Sequence, residues 1–199
     1  MEELSLHILD LAQNSIAAGA DQVKLTVEEQ PSNDTLTITV LDNGCGMSAA
    51  QAEQAADPFF TTRHTRSIGL GLPLFKMAAE LTGGSFSLHS AKGKGTQIRG
   101  VFRLSSIDRM PLGDLNGTLL LLIQCNPSTD FIYTRICGNR NFELDTRRIR
   151  RILGEVPINR PEITVFLRKY LKEGDLELKG GVYLDESGRA CSNQRQGEK

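Results

Sequence analysis

The chain reads as an α+β protein: a two-layer α/β sandwich in which a mixed sheet carries helices on one face, followed by a small C-terminal α+β extension. Three observations predict it. Val23 to Val27 and Leu36 to Val40 alternate apolar and polar residues with period two, and a second such pair follows at Phe86 to Leu88 and Ile98 to Leu104. Leu4 to Ala18 and Leu70 to Leu81 repeat apolar residues at helical spacing instead. After Leu104 the pattern breaks at SSIDRMPLGDL, whose Pro and Gly interrupt regular structure, and a different rhythm begins.

In the first helix Leu4, Ile8, Leu11, Ala12 and Ile16 form an apolar stripe, while His7, Asp10 and Asn14 share another face. The first two strands are separated by the turn-like PSND and end at Asp42. A short helix starts at Ser48, a natural N-cap. Asp57 to Ile68 holds Pro, two Phe, four hydroxyl residues and three bases without periodicity, which suggests a mobile lid. The helix Leu70 to Leu81 tolerates Pro73 in its first turn and stops at Gly83-Gly84, and AKGKG joins the next two strands. These elements make one domain over residues 1–107.

A smaller unit of residues 108–184 is expected to follow, with a helix from Asp114 to Cys125, a hairpin of Phe131 to Cys137 and Phe142 to Leu144 around GNRN, and helices at Thr146 to Leu153 and Pro161 to Leu171. Residues 185–199 are polar and aperiodic and read as a flexible tail.

With 199 residues, 39% hydrophobic and a net charge of −1, the chain can bury a core and has no overall attraction to nucleic acid or membrane. Its longest aliphatic run, Leu119 to Ile123, is too short for a membrane span, and MEELSLH lacks the features of a signal peptide, so a cytoplasmic protein is expected. The four cysteines show no metal-ligand or CxxC spacing. RRIRR at Arg147 to Arg151 is amphipathic with Ile149, Ile152 and Leu153, which favours a solvated or protein-binding face over nucleic acid.

Four segments carry chemistry: DLAQNSIAAGA from Asp10, DNGCGM from Asp42, DPFFTTRHTRSIGLGL from Asp57 and GKGT from Gly93. Asp42 ends a strand, where its carboxylate can accept from an exocyclic amine. Gly44 and Gly46 let the backbone turn beneath a flat base, and Met47 offers polarizable packing. DNG by itself is equally a hairpin turn. Gly69 and Gly71 in IGLGL, with Leu70 and Leu72, stand where a loop opens into a helix, and bare N–H groups there suit phosphate; a plain hinge has the same pattern. Asn14 has an amide oxygen able to complete a magnesium shell beside phosphate oxygens and waters, or else to cap backbone. Thr61, Thr62, Arg63 and Arg66 could close over a γ-phosphate.

Together these segments resemble the N, G1, lid and G2 boxes of the GHKL superfamily, the Bergerat-fold ATPases, over about the first half of the chain. The stretch from Asp57 to Thr96 is similar to the ATP-binding domain of histidine kinases, whereas DLAQNSIAAGA is closer to the mismatch-repair ATPase form. The resemblance implies ATP and Mg2+ as ligands, with Asn14 on the metal, Asp42 on adenine, Gly44, Gly46, Gly69 and Gly71 shaping the loops, and Thr96 near the base. In hydrolysing members and the related serine kinases a Glu stands where this chain has Asp10, as general base, so Asp10 is the candidate base with a shorter reach. His7 could orient it. No His is followed by the acid of a phosphoacceptor helix, since His7 precedes Ile, His64 precedes Thr and His89 precedes Ser. The resemblance thus implies a stand-alone ATP-binding protein that hydrolyses ATP slowly or transfers phosphate to a protein partner in trans. The alternatives are an anti-sigma-type serine kinase and a noncatalytic nucleotide sensor.

Overall fold

The computed structural model describes residues 3–55, 71–178, 180, 182–184 and 190–192. Helix α1 (Leu4–Ala17) leads into strands β1 (Gln22–Gln30) and β2 (Thr35–Asp42), a short helix α2 (Ala49–Ala55), α3 (Gly71–Leu81), and strands β3 (Ser85–Ala91) and β4 (Gly95–Arg103). Then come α4 (Leu115–Cys125), β5 (Asp130–Cys137), β6 (Arg140–Asp145), α5 (Thr146–Leu153), α6 (Pro161–Leu178) and a small hairpin of β7 (Val182–Leu184) and β8 (Ala190–Ser192).

Six strands form one mixed sheet in the order β3-β4-β2-β1-β5-β6, every neighbouring pair antiparallel except β1 and β5. Alternation decides which face is buried: Val23, Leu25 and Val27 of β1 and Leu36, Ile38 and Val40 of β2 point into a single core shared with Leu4, Ile8 and Leu11 of α1. Phe75 of α3 is fully buried there, edge-on to Phe102 at 5.5 Å and to Phe86 at 6.4 Å. A Cβ at Gly100 would stand 2.7 Å from the Phe75 ring, so β4 carries glycine where the ring presses on the sheet.

Strands β5 and β6 continue the sheet of the first half. Val23 pairs with Phe131 and Leu25 with Tyr133 in the parallel β1–β5 ladder, and Leu119, Ile123, Phe131, Tyr133 and Leu144 join the same core. Of the expected C-terminal extension, β5 and β6 thus lengthen the first sheet, and α4 shares its core. α4 packs beside α1 on one side and α6 on the other. The N-terminus of α1 is tied to the connector, with Leu4 and Ser5 amides donating to the Pro111 and Leu112 carbonyls at 3.0 and 2.9 Å.

Local chemistry accounts for the element ends. Asp114 caps α4 by accepting from the Gly117 amide at 2.8 Å, and Asp145 caps α5 through the Arg147 amide at 2.9 Å. Ser48 and Gln51 form a reciprocal capping box at α2. Three details differ from the sequence reading. The β5–β6 turn is confined to Gly138 and Asn139, because Arg140 and Asn141, polar as they are, sit on an edge strand paired with Cys137 and Ile136. α6 runs seven residues beyond Leu171, since the small Gly174 admits the Phe142 ring where a Cβ would collide with it. Ala190–Ser192 pairs with Val182–Leu184 inside the segment read as tail; strands of three residues are too short to show periodicity.

Candidate nucleotide-binding site

A cleft of about 330 Å³ opens between the C-terminal half of α1, the end of β2 and the start of α3. Asn14, Asp42, Gly46, Met47, Leu72 and Thr96 line it, over an apolar floor that includes Leu11, Ala55 and Ile98. Asp42 is its polar centre, only 6% exposed. Its Oδ1 accepts the Gly44 amide at 2.9 Å and the Thr96 amide at 3.1 Å, while Oδ2 accepts the Ser15 hydroxyl at 2.6 Å. Three donors from three elements thus fix the carboxylate. A carboxylate oxygen offers about two acceptor sites, so Oδ1 is saturated and Oδ2 keeps one acceptance for a ligand donor.

The loop after Asp42 is held on both sides. The Cys45 amide donates to the Ala18 carbonyl at the end of α1, and the Cys45 carbonyl accepts from the Gly93 amide in the β3–β4 turn, at 2.9 and 2.8 Å. Gly46 adopts φ 62°, and a Cβ there would strike the Ala91 carbonyl, so the position needs glycine for conformation and for space. A Cβ on Gly44 would sit 2.9 Å from the Ala18 carbonyl oxygen and 3.2 Å from Asp42 Oδ1, where it would crowd that carboxylate. Asn43 turns outward, accepting the Asp21 and Gln22 amides at 3.1 and 3.0 Å, and so pins the start of β1 to the end of β2.

Asn14 is half-buried in the cleft wall, and its amide caps no backbone group among the described residues. Asp10, one turn earlier, is exposed and lies against the first residue of α3: a Cβ on Gly71 would be 3.0 Å from Asp10 Cβ and 3.3 Å from its Oδ2. Helix α1 therefore delivers Asp10, Asn14 and Ser15 to one wall, and α3 begins opposite. His7, on the same helix, is 7% exposed with its ring tilted on Phe75 of α3 at 6.1 Å. Thr61, Thr62, Arg63, Gly69 and Leu70, with the rest of the lid candidate, lie outside the described residues.

Two functional neighbours escaped the sequence reading. Ser15 looks like one more small residue on the apolar stripe, yet its hydroxyl is the donor to Asp42. Ser90 of β3 accepts the Met47 amide at 2.8 Å and shares a 2.8 Å hydrogen bond with the Thr96 hydroxyl, joining the glycine loop to β4. A signal existed for Ser15, its adjacency to Asn14; none existed for Ser90, whose partners are 43 and 6 residues away.

Residues 2–106 match the family model described as histidine kinase-, DNA gyrase B-, and HSP90-like ATPase. A Shewanella frigidimarina protein named "Putative sensor protein" is 34% identical over 109 residues, 54% of this chain and 17% of its own length. The sensor histidine kinase ZraS of Salmonella typhi is 37% identical over 95 residues, 47% of this chain and 20% of its own. The chain thus spans about a fifth of the length of these relatives. A solved structure described as the N-terminal domain of a DNA repair protein overlays with a TM-score of 0.48 at 16% identity, covering 73% of this chain and 53% of that one. The match over residues 2–106 takes in α1, the six-residue DNGCGM loop and the β3–β4 turn, and by it the chain belongs to the histidine kinase-, DNA gyrase B-, and HSP90-like ATPase family.

Proposed function

We propose that the cleft binds Mg-ATP, with the adenine amine donating to Asp42, and that the chain uses the nucleotide in regulation, by slow hydrolysis or by phosphoryl transfer to a protein partner in trans. The observation that carries this reading is the single remaining acceptance on buried Asp42 Oδ2, which suits an N–H donor on a flat ring lying over Gly46 and Met47. Thr96 supports the base by holding Asp42 through the hydrogen bond its backbone amide donates to Oδ1.

Among the described residues no cluster of three His, Cys, Asp or Glu is assembled, so a cation here would rely on Asn14 and on the nucleotide's own oxygens. That donor set fits Mg2+, which keeps waters and binds through phosphates; once bound it would neutralise charge on the phosphates. Asp10, beside Gly71 at the start of α3, is the residue set to take a proton from an attacking water or hydroxyl. Its position favours an enzyme over a pure sensor. The lid residues Thr61, Thr62 and Arg63, with Gly69 and Leu70, complete the reading on the phosphate side, and a cytoplasmic location goes with it.

Incubation of the protein and Mg2+ with γ-labelled ATP, alone and with lysate, separates the outcomes. Free phosphate marks hydrolysis, an acid-stable protein label marks the serine-kinase reading, and an acid-labile label marks histidine transfer. Binding without turnover in either condition leaves a nucleotide sensor, in which α1 relays occupancy through α4. Absence of any thermal shift with saturating ATP and Mg2+ would overturn the site itself; at a hundredfold excess over Kd about 2.7 kcal/mol of stabilisation is expected.

A further inference from the structure

Ser90 of β3, Thr96 of β4 and Asp42 of β2 stand in one row across the sheet, each directly opposite the next. Thr96 and Asp42 line the nucleotide cleft, whereas Ser90 does not. The Ser90 hydroxyl has three neighbours: the Met47 amide at 2.8 Å, the Gly95 carbonyl at 3.1 Å and the Thr96 hydroxyl at 2.8 Å. An amide N–H only donates and a carbonyl only accepts, so the Met47 contact takes a Ser90 lone pair and the Gly95 contact takes its one hydrogen. A second lone pair is left, and the Thr96 hydrogen fills it. Thr96 Oγ1 then faces the cleft with lone pairs alone.

The opposite polarity loses a hydrogen bond. If Ser90 turned its hydrogen to Thr96, the Thr96 hydrogen could enter the cleft, but the Gly95 carbonyl would lose Ser90. A base that offers an acceptor to Thr96 then leaves three bonds at this cluster, Met47 to Ser90, Ser90 to Thr96 and Thr96 to the base. A base that offers a donor keeps the Gly95 bond as well and leaves four. The row spacing suits one kind of donor. Directly opposite residues of an antiparallel ladder are about 4.5 to 5.5 Å apart, and acceptors taking both hydrogens of one flat amine at about 2.9 Å lie about 5 Å apart. Asp42 Oδ2, with its one open acceptance, and Thr96 Oγ1 match the two hydrogens of a single NH2 group.

We infer that Ser90 is a positioning residue for base recognition: by taking the Thr96 hydrogen it makes Thr96 a second acceptor beside Asp42. The pocket then reads both hydrogens of the adenine amine and leaves the adjacent ring nitrogen, N1, unread. The inference rests on the nucleotide reading of the cleft and adds to it which edge atoms the chain discriminates. Ser90 holds Met47 in place through the same hydroxyl.

Titration calorimetry of the full chain with ATP and with 1-deaza-ATP, both with Mg2+, tests it, since the analogue keeps the amine and replaces N1 by CH. Wild type should bind the two equally. Ser90→Ala frees the Thr96 hydrogen to donate to N1, so ATP should become preferred, within the roughly 2- to 13-fold that one neutral hydrogen bond supplies. Ser90→Thr, which restores the hydroxyl, should return the ratio to that of wild type; a merely structural Ser90 would change both affinities alike. Thr96→Val should weaken both nucleotides by the same factor, because the lost contact is to the amine they share. Should loss of the Met47 anchor unfold Ser90→Ala, Thr96→Val decides. A Thr96→Val protein that loses affinity for ATP but not for 1-deaza-ATP overturns the inference, as does an unchanged ratio in folded Ser90→Ala or a wild type that already prefers ATP. A wild type that binds neither nucleotide overturns the nucleotide reading together with this inference, whereas the other contrary results leave that reading standing.

Discussion

Asp42→Asn should invert the hydrogen-bonding polarity of the nucleotide cleft while leaving the fold largely intact. The Gly44 and Thr96 amides, at 2.9 and 3.1 Å, cannot reverse their polarity, so they will hold the one oxygen of Asn at the Oδ1 position. The NH2 then replaces Oδ2. Ser15 can follow, since a hydroxyl rotates to accept, and its hydrogen has a second acceptor in the Leu11 carbonyl at 3.3 Å. The fold loses charge assistance on these bonds, about 1 kcal/mol for each. A ligand N–H aimed at the former Oδ2 now meets another donor. Losing a hydrogen bond to a charged group, about 1.5–3 kcal/mol, corresponds to roughly 10- to 150-fold in Kd. The new N–H suits a carbonyl in the same place, and guanine carries an acceptor oxygen where adenine carries an amine. Titration calorimetry of ATP and GTP with Mg2+, on wild type and variant, should show ATP weakened and the ATP/GTP preference reduced or reversed. An unchanged ratio in a cooperatively folded variant would refute Asp42 Oδ2 as the atom that reads the base.

Gly46→Ala should abolish nucleotide binding and destabilise the protein by about 2 kcal/mol or more, since it adds a strained φ to an overlap with backbone; a melting curve and an ATP titration check both parts. Asp10→Asn should keep ATP affinity and lower any turnover by about 10² to 10⁴, whereas Asp10→Glu should preserve or raise it; equal rates in all three proteins would make Asp10 structural. Tyr133 is 1% exposed, its hydroxyl has no hydrogen bond of good geometry among the described residues, and burial pushes its pKa up to about 12 against the pull of the nearby Arg135 guanidinium. Because the folded pKa lies above the unfolded 10.0, the folded state holds this proton more tightly, and stability should be intact below pH 10 and fall as pH rises toward 12. Tyr133→Phe should flatten that alkaline decline, measured as denaturation midpoints across the range, and cost little at neutral pH because the hydroxyl makes no hydrogen bond of good geometry among the described residues.

The first half of the fold was legible because its strands pair with sequence neighbours. β1 and β2 face one another across a four-residue turn, and β3 and β4 across three residues, so period-two alternation and turn residues sufficed to find both hairpins. The joining of the C-terminal half was not legible. β5 pairs with β1 across more than a hundred residues, a parallel contact that leaves no local mark, and the Pro- and Gly-bearing connector before α4 reads as a boundary whether or not the sheet continues beyond it. Asp42 and the glycines could be named as candidates from local motifs, but the geometry that holds the Asp42 carboxylate could not, because two of its three donors come from α1 and β4.

That arrangement has a mechanical consequence. Ser15 binds Asp42 from the same helix that presents Asp10 and Asn14, and the other end of that helix is tied by backbone hydrogen bonds to Pro111 and Leu112 just before α4. A ligand that draws Asp42 toward itself therefore loads α1 along its length, and α1 packs on α4, which packs on α6. Packed helices shift as rigid units far more readily than they deform. If nucleotide occupancy is read anywhere outside the cleft, the α5–α6 face at the end of this stack is where it should appear. Hydrogen exchange in the wild type should then show ATP-dependent protection changes in α4 and α6, and Ser15→Ala, which cuts the link at Asp42 without touching either helix, should diminish them while ATP still binds. Protection changes confined to the cleft residues would show that α1 absorbs the load and that the two faces work independently.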